Sequence, residues 1–333
     1  MIKTIELYSG RIFKTLLVPL LVYIVFAALS GGRFGTWLGM TLIARQAVIS
    51  ALLALGITCN MVMGMWDFSA GAVVVFAAII GGNLAKATGL DLFGLILFCV
   101  LTAVLMTTLT GFLYSILKVP SMVFTIGLVL VYETLPYLVY DGAGAFISGN
   151  LTKLARSPYC FIILGVMFAI FYIIFNYTTF GHNVRAYGRN SILAKNLGLN
   201  PTKIKFFSFV LGGAFLGMAA VIYISSKGKI QVGASMSSVT MVFDAMMGFF
   251  IAIFLSRYCN MAIGIVIGSF TMKMLTAGLV SLGLSTTIRN ITTGLFLLVL
   301  LCISSNMGRV SAWRARRERA KQANIKYLKA KQC

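Results

Sequence analysis

GHNVRAYGRNSILAKNLGLNPTKIK, residues 181–205, is the longest polar island in a chain of otherwise apolar runs. It holds five basic residues, Arg185, Arg189, Lys195, Lys203 and Lys205, and no acidic one. Its punctuation predicts two helix starts. Asn190 or Ser191 can cap a short helix over 192–197, because an oxygen at that position accepts the free N–H groups of the first turn. Gly198 then offers a left-handed stop. Asn200-Pro201 opens a second helix, with proline in the first turn, where its missing N–H is harmless. That helix runs into the apolar segment from Phe206. On the cytoplasmic face such an island is either a docking element or an ordinary basic connector.

Outward from the island the chain is membrane. Hydrophobic residues make up 59% of 333 and charged residues 11%, against about 25% charged in soluble domains. This is expected to be an all-α polytopic membrane protein. Ten segments approach the length of about 20 residues that a span needs: 15–30, 38–63, 70–86, 92–117, 121–140, 158–177, 206–226, 239–255, 260–283 and 287–305. The run 16–30 also has the look of a signal peptide, but the apolar spans that follow favour a retained first helix. The division expected is a permease domain over 1–308, with the island 181–205 on its cytoplasmic face, and a basic cytoplasmic tail over 309–333.

The net charge of +21 is not a nucleic-acid signal, since no soluble domain carries a basic stripe interleaved with aromatics. It reads as topology and as attraction to the lipid bilayer. Six crossings put both the N-terminus and the island inside, and four more put the tail inside. Most cationic residues then fall inside, as the positive-inside rule requires, although the tail supplies much of that excess. Arg45 and Lys273 fall within spans. The six cysteines have no metal or redox spacing.

Chain breaks are the other signal. Asp67 in GMWDFSAG is costly among apolar residues unless it faces polar protein or water. With Ser69 it can cap the helix that starts near Ala70. Trp66-Asp67-Phe68-Ser69-Ala70-Gly71 and Phe243-Asp244-Ala245-Met246-Met247-Gly248 share an aromatic-Asp-x-x-x-Gly pattern. Inverted repeats with broken or re-entrant helices are a common transporter design. Lys118-Val119-Pro120-Ser121 breaks the chain again, and Ser121 can cap the helix that follows. Hydroxyl, amide and aromatic groups cluster near these breaks, so Asn60, Trp66, Asp67, Ser69, Ser121, Phe124, Thr125, Thr240, Phe243 and Asp244 are the candidates for a substrate pathway.

These stretches resemble the ribose/xylose-type ABC importer permeases, relatives of the branched-chain amino acid permeases. In the island, Phe180, Gly181, Ala186, Gly188, Asn190, Ala194, Gly198, Leu199 and Lys205 sit on that family's pattern, while His182 replaces an arginine. Ala54, Leu55, Gly56, Asp67, Ser69, Gly71 and Val73 match a second motif, with Met65-Trp66 in place of Gly-Ile. Gly111, Leu117, Val119, Pro120, Thr125, Gly127 and Leu135 match a third. Glu133 stands where the family has a neutral residue or arginine, and near the outer surface. From Asp244 to Gly268 only Gly248, Gly264 and Gly268 keep a fourth motif.

The resemblance implies a translocation subunit in a bacterial cell (inner or plasma) membrane, working as a homodimer or close heterodimer. Two ATP-binding cassette ATPase subunits would dock inside and an extracytoplasmic substrate-binding protein outside. Gly188, Asn190, Ala194, Leu197 and Gly198 would couple the island to the ATPase, with the small face of Ala194 and Gly198 letting it approach and Leu197 filling a pocket. A change at Arg185 alters only charge and is expected to be mild.

The chain has no phosphate-cradling G-x-x-x-x-G-K-[ST], so hydrolysis belongs to partners. No cofactor or metal is expected, because His182 is the lone histidine. The spans carry few charges for an ionic substrate, which favours a small neutral polar solute such as a monosaccharide. The alternatives are an ion-coupled secondary transporter using Asp67, Glu133 or Asp244, or an ABC permease for a nucleoside or branched-chain amino acid.

Overall fold

The computed structural model describes residues 2–302 except Lys118, Ala234, Ser235, Arg257, Thr286, Asn290, Leu297, Leu300 and Leu301, with backbone alone for residues 2–14. The basic tail and the end of the tenth expected segment lie outside the described residues. The chain forms two compact units, Met1–Leu282 and Gly283–Cys333. In the second, the described residues from 287 to 302 are helical.

The first unit consists of helices α1 (Ile2–Leu29), α2 (Trp37–Val62), α3 (Ala70–Thr88), α4 (Asp91–Leu117), α5 (Ser121–Tyr140), α6 (Tyr159–Tyr177), α7 (Thr179–Arg189), α8 (Ser191–Asn196), α9 (Pro201–Lys227), α10 (Val239–Leu255) and α11 (Met261–Ser281). Seven of them, α2 to α6, α9 and α11, are long and apolar enough to cross a membrane. The apolar helical stretches Thr15–Leu29 and Val239–Leu255 are shorter. The two-residue strands β1 (Ala145–Phe146) and β2 (Lys229–Ile230) pair antiparallel, Ala145 opposite Ile230.

Helices in lipid gain little from apolar contact alone, so close packing decides which of them form the centre. Here α2 and α9 cross at Gly56 and Gly212, where a Cβ on Gly56 would sit 3.2 Å from the Gly212 carbonyl oxygen. α9 also packs on α4 and α3, and α11 and α10 pack on α2. The outer sides of α4, α5 and α6 keep Leu101, Leu105, Phe112, Leu138 and Ile162 exposed, a surface suited to acyl chains.

α9 sets the long dimension. Its 27 residues at 1.5 Å each span about 40 Å. α7 and α8 lie at its start, and the β1–β2 pair lies at its finish. These are the α8 end and the hairpin end of the bundle.

Candidate functional site

Two helices begin inside the bundle and run in opposite directions. α3 runs to the hairpin end, where Gly82 lies against Ala145 and Ile147. α10 runs to the α8 end, where Asn260 just beyond it donates to Asn176 at 2.9 Å. Their first turns meet at Gly71, whose Cβ, if it had one, would collide with the Ser238 carbonyl. Each N-terminus carries unsatisfied N–H groups and partial positive charge, and inside a membrane it needs an anion or an acceptor.

Each one has a buried carboxylate. Asp67, 2% exposed, accepts the Ser69 amide at 3.1 Å and the Ser69 hydroxyl at 2.6 Å. Glu133, 4% exposed, reaches from α5 and accepts the amides of Met236 at 2.9 Å and Ser238 at 2.8 Å. This corrects the sequence echo. Asp244 lies past the first turn of α10 and does not precede the helix, so the counterpart of Asp67 is Glu133. Near the end of α5 that leads to β1, Glu133 is thus buried against the start of α10. An acid within an apolar span, with no cation nearby in sequence, was the available signal.

The break between α2 and α3 is tied to α5. The Trp66 amide donates to Ser121 Oγ at 3.1 Å, and the Phe68 amide donates to Thr125 Oγ1 at 3.2 Å. Thr125 Oγ1 lies 3.1 Å from the Trp66 carbonyl and can donate to it. Ser121 therefore holds another segment's backbone and does not cap its own helix; Pro120 occupies the cap position without a side-chain bond. Phe68 stacks with Trp66 and meets Phe243 edge-on at 5.6 Å. Phe124 turns to Tyr114 at 5.8 Å. Asn60 is buried; its carbonyl closes α2 on Met63 and Met65, while its Oδ1 has no partner among the described residues.

Thus Trp66, Asp67, Ser69, Ser121, Thr125 and Phe243 do come together, but their polar atoms mostly bond to one another and to backbone. Thr240 is exposed and bonds to the Ser237 carbonyl.

At the α8 end the cap is Asn190, not Ser191: its Oδ1 accepts the amides of Ile192 at 3.1 Å and Leu193 at 3.0 Å. Gly198 has φ +85°, and Asn200 caps α9 on the Lys203 amide. The sequence reading missed α7, because polar composition hid its single apolar stripe of Phe180, Val184 and Tyr187. A Cβ on Gly188 would collide with the Val62 carbonyl, so α7 rests on the end of α2 through a bare backbone.

Two island expectations change. Ala194 is 3% exposed and faces the protein's own body, so it is not a face for a partner. The outward surface is Ile192, Leu193 and Leu197, with Ile192 74% and Leu197 75% exposed. Arg185 is more than loop charge. Its terminal nitrogens lie 3.4 Å from the Asn176 side-chain and backbone oxygens, and its guanidinium lies over the Phe175 ring.

Asp244 belongs to a different place. It pairs with Lys273 of α11 at 2.5 Å in the wall of a cavity of about 440 Å³. The cavity is bounded by α2 from Leu42 to Leu53, the hairpin-end turns of α9, and the first turns of α10. Its lining runs from Asp244 and Lys273 inside the bundle to Ala155 and Lys227 at the hairpin end.

A protein-family profile described as branched-chain amino acid transport system / permease component matches residues 39–304. The chain is similar to the autoinducer 2 import system permease protein LsrC of Photorhabdus luminescens, 28% identical over 280 residues, 80% of this chain and 82% of that one. It is 27% identical to the LsrC permease of Yersinia pseudotuberculosis serotype O:1b, over 80% of this chain and 77% of that one. No solved structure matches it.

Proposed function

Because the chain belongs to the family of branched-chain amino acid transport system permease components, we propose that it is the membrane-spanning subunit of an ATP-driven importer for a small, sugar-like polar solute. The observation that carries this reading is α8. A six-residue helix, capped by Asn190 and stopped at Gly198, presents Ile192, Leu193 and Leu197 outward. Its neighbour α7 is seated on α2. Apolar residues held outward on a capped helix suit a protein groove better than water.

In this reading two ATPase subunits dock at the α8 end, and a substrate-binding protein docks at the hairpin end. A second permease subunit, identical or closely related, completes the pathway. The chain lies multi-pass in a bacterial cell membrane, with ten crossings and both termini cytoplasmic. The opposed starts of α3 and α10, each closed by a carboxylate, support inverted halves. The solute class follows the relatives named for autoinducer 2 import, together with the amide and hydroxyl lining of the cavity by Gln46, Ser50, Tyr223 and Ser226. The family description favours a second reading, a branched-chain amino acid.

Proteoliposomes holding the permease and its binding protein, with and without the ATPase, test both readings. Uptake of labelled monosaccharide that requires ATPase and ATP is expected. Uptake driven by an ion gradient without the ATPase would refute the importer, and transport of leucine alone would replace the solute.

A further inference from the structure

The cavity walls carry more positive charge than the chain itself neutralises. Arg45 of α2, Lys227 of α9 and Lys273 of α11 line it together with a single acid, Asp244. Asp244 is taken by Lys273 at 2.5 Å. Among the described residues neither Arg45 nor Lys227 has a carboxylate partner. Arg45 is half-buried, and a partly desolvated cation without a counter-ion favours an incoming anion, while Lys227 is exposed and meets solvent at the rim.

Arg45 is also positioned. Its Nε donates to the Ala155 carbonyl at 2.9 Å, which fixes the guanidinium and leaves its two terminal nitrogens without a partner among the described residues. A fixed guanidinium fork matches two oxygens of a carboxylate or phosphate. Around it, Ser50, Tyr223 and Ser226 supply hydroxyls and Gln46 an amide, while Ile49 and Met241 supply apolar wall. A volume of about 440 Å³ falls within the range of small-molecule sites.

We propose that this cavity binds the anionic group, a carboxylate or phosphate, of a small hydroxylated solute, with Arg45 as its principal ligand and Lys227 at its mouth. The solute is then a sugar acid or sugar phosphate in class, not the neutral sugar that the scarcity of charges in the spans suggested. Two cations from different helices do what a sequence count of few charges conceals. The inference rests on the permease reading for the solute's approach from the hairpin end.

The test uses the full chain in phosphatidylcholine nanodiscs, titrated calorimetrically with glucuronate, glucose and inorganic phosphate. Glucuronate should bind at least about tenfold more tightly than glucose, and phosphate should displace it. Arg45→Gln and Lys227→Met should each weaken glucuronate about tenfold, with Arg45→Lys, which keeps the charge but not the fork, falling between wild type and Arg45→Gln. Lys227 is exposed, so its variant carries the test if Arg45→Gln does not fold. Equal binding of glucose and glucuronate, no binding of either anion, or affinity unmoved by the variants overturns the proposal. Nanodiscs containing phosphatidylglycerol should leave the affinity within about threefold; its loss there assigns the cations to lipid phosphate and also overturns it. ATPase co-purification is scored separately. Assembly retained without anion binding sinks this inference and leaves the permease reading standing.

Discussion

Glu133 closes the start of α10 from 105 residues away, its Oε1 receiving the Ser238 amide at 2.8 Å. Its Oε2 receives the Met236 amide, so both oxygens are committed to one turn of backbone. Glu133→Gln keeps one acceptor but sets an NH₂ against an N–H. Hydrogen bonds to a charged group contribute about 1.5–3 kcal/mol, and a buried donor left unpaired costs a similar amount. Glu133→Gln should lower the thermal midpoint in detergent, and Glu133→Leu should lower it further. A wild-type midpoint for both variants would show that the carboxylate does not hold α10.

Asp67 makes a different demand, because both of its bonds from Ser69 fall on one oxygen. Oδ1 takes both the amide and the hydroxyl of Ser69, and asparagine offers an oxygen in the same place. Asp67→Asn should therefore cost less than about 1 kcal/mol, while Asp67→Ala, which removes the cap, should cost about 1–2 kcal/mol. Scanning calorimetry of both variants checks the order. If Asp67→Asn abolishes uptake at unchanged stability, the charge itself meets solute and the cap reading of Asp67 is incomplete.

What the sequence disclosed and what it hid divide along a physical line. Local chemistry was legible. Asn190, Gly198 and Asn200-Pro201 mark α8 and the start of α9, because caps and stops depend on neighbours within four residues. Asp67 and Ser69 were legible for the same reason. Partnerships across the fold were not. Glu133 with Ser238, Ser121 with Trp66, and Asp244 with Lys273 join residues that no spacing rule relates. The inward side of Ala194 was hidden too, since a six-residue helix shows which residues share a face but not which way that face turns. α7 was lost because a helix seated by Gly188 and Val184 carries too few apolar residues for its period to stand out.

Asn176 joins three elements at the α8 end. Its Oδ1 accepts from Asn260 Nδ2, it faces Arg185 Nη1, and its own amide donates to Tyr172. Asn260 in turn caps α11 on the Ala262 amide. Arg185→Ala loses two long bonds and a ring contact, and should cost about 1 kcal/mol. Asn176→Leu also strips Asn260 and should cost more. Because both act through one side chain, the double variant should fall short of the sum by at least about 0.5 kcal/mol. Unfolding midpoints of the four proteins in the cycle measure this, and strict additivity would mean that α7 and α11 are not linked through Asn176.

The decisive pair of variants contrasts the two sides of α8. Leu197 lies beyond its last turn and is 75% exposed, so a charge there meets water in the isolated subunit and disturbs nothing beneath. In an ATPase groove the same charge would be stripped of water without a partner, a loss of several kcal/mol. Leu197→Asp should therefore reach the membrane in normal amount, unfold at the wild-type temperature, and fail to co-purify with the ATPase. Ala194 is its opposite. At 3% exposure it has no room for an indole, so Ala194→Trp should displace α8 and lower the midpoint before any partner is added, by about 1–3 kcal/mol in overpacking. A stable Ala194→Trp protein would show that α8 stands clear of the bundle. ATPase assembly unaffected by Leu197→Asp would remove α8 as the docking element, and the basic island would revert to a connector.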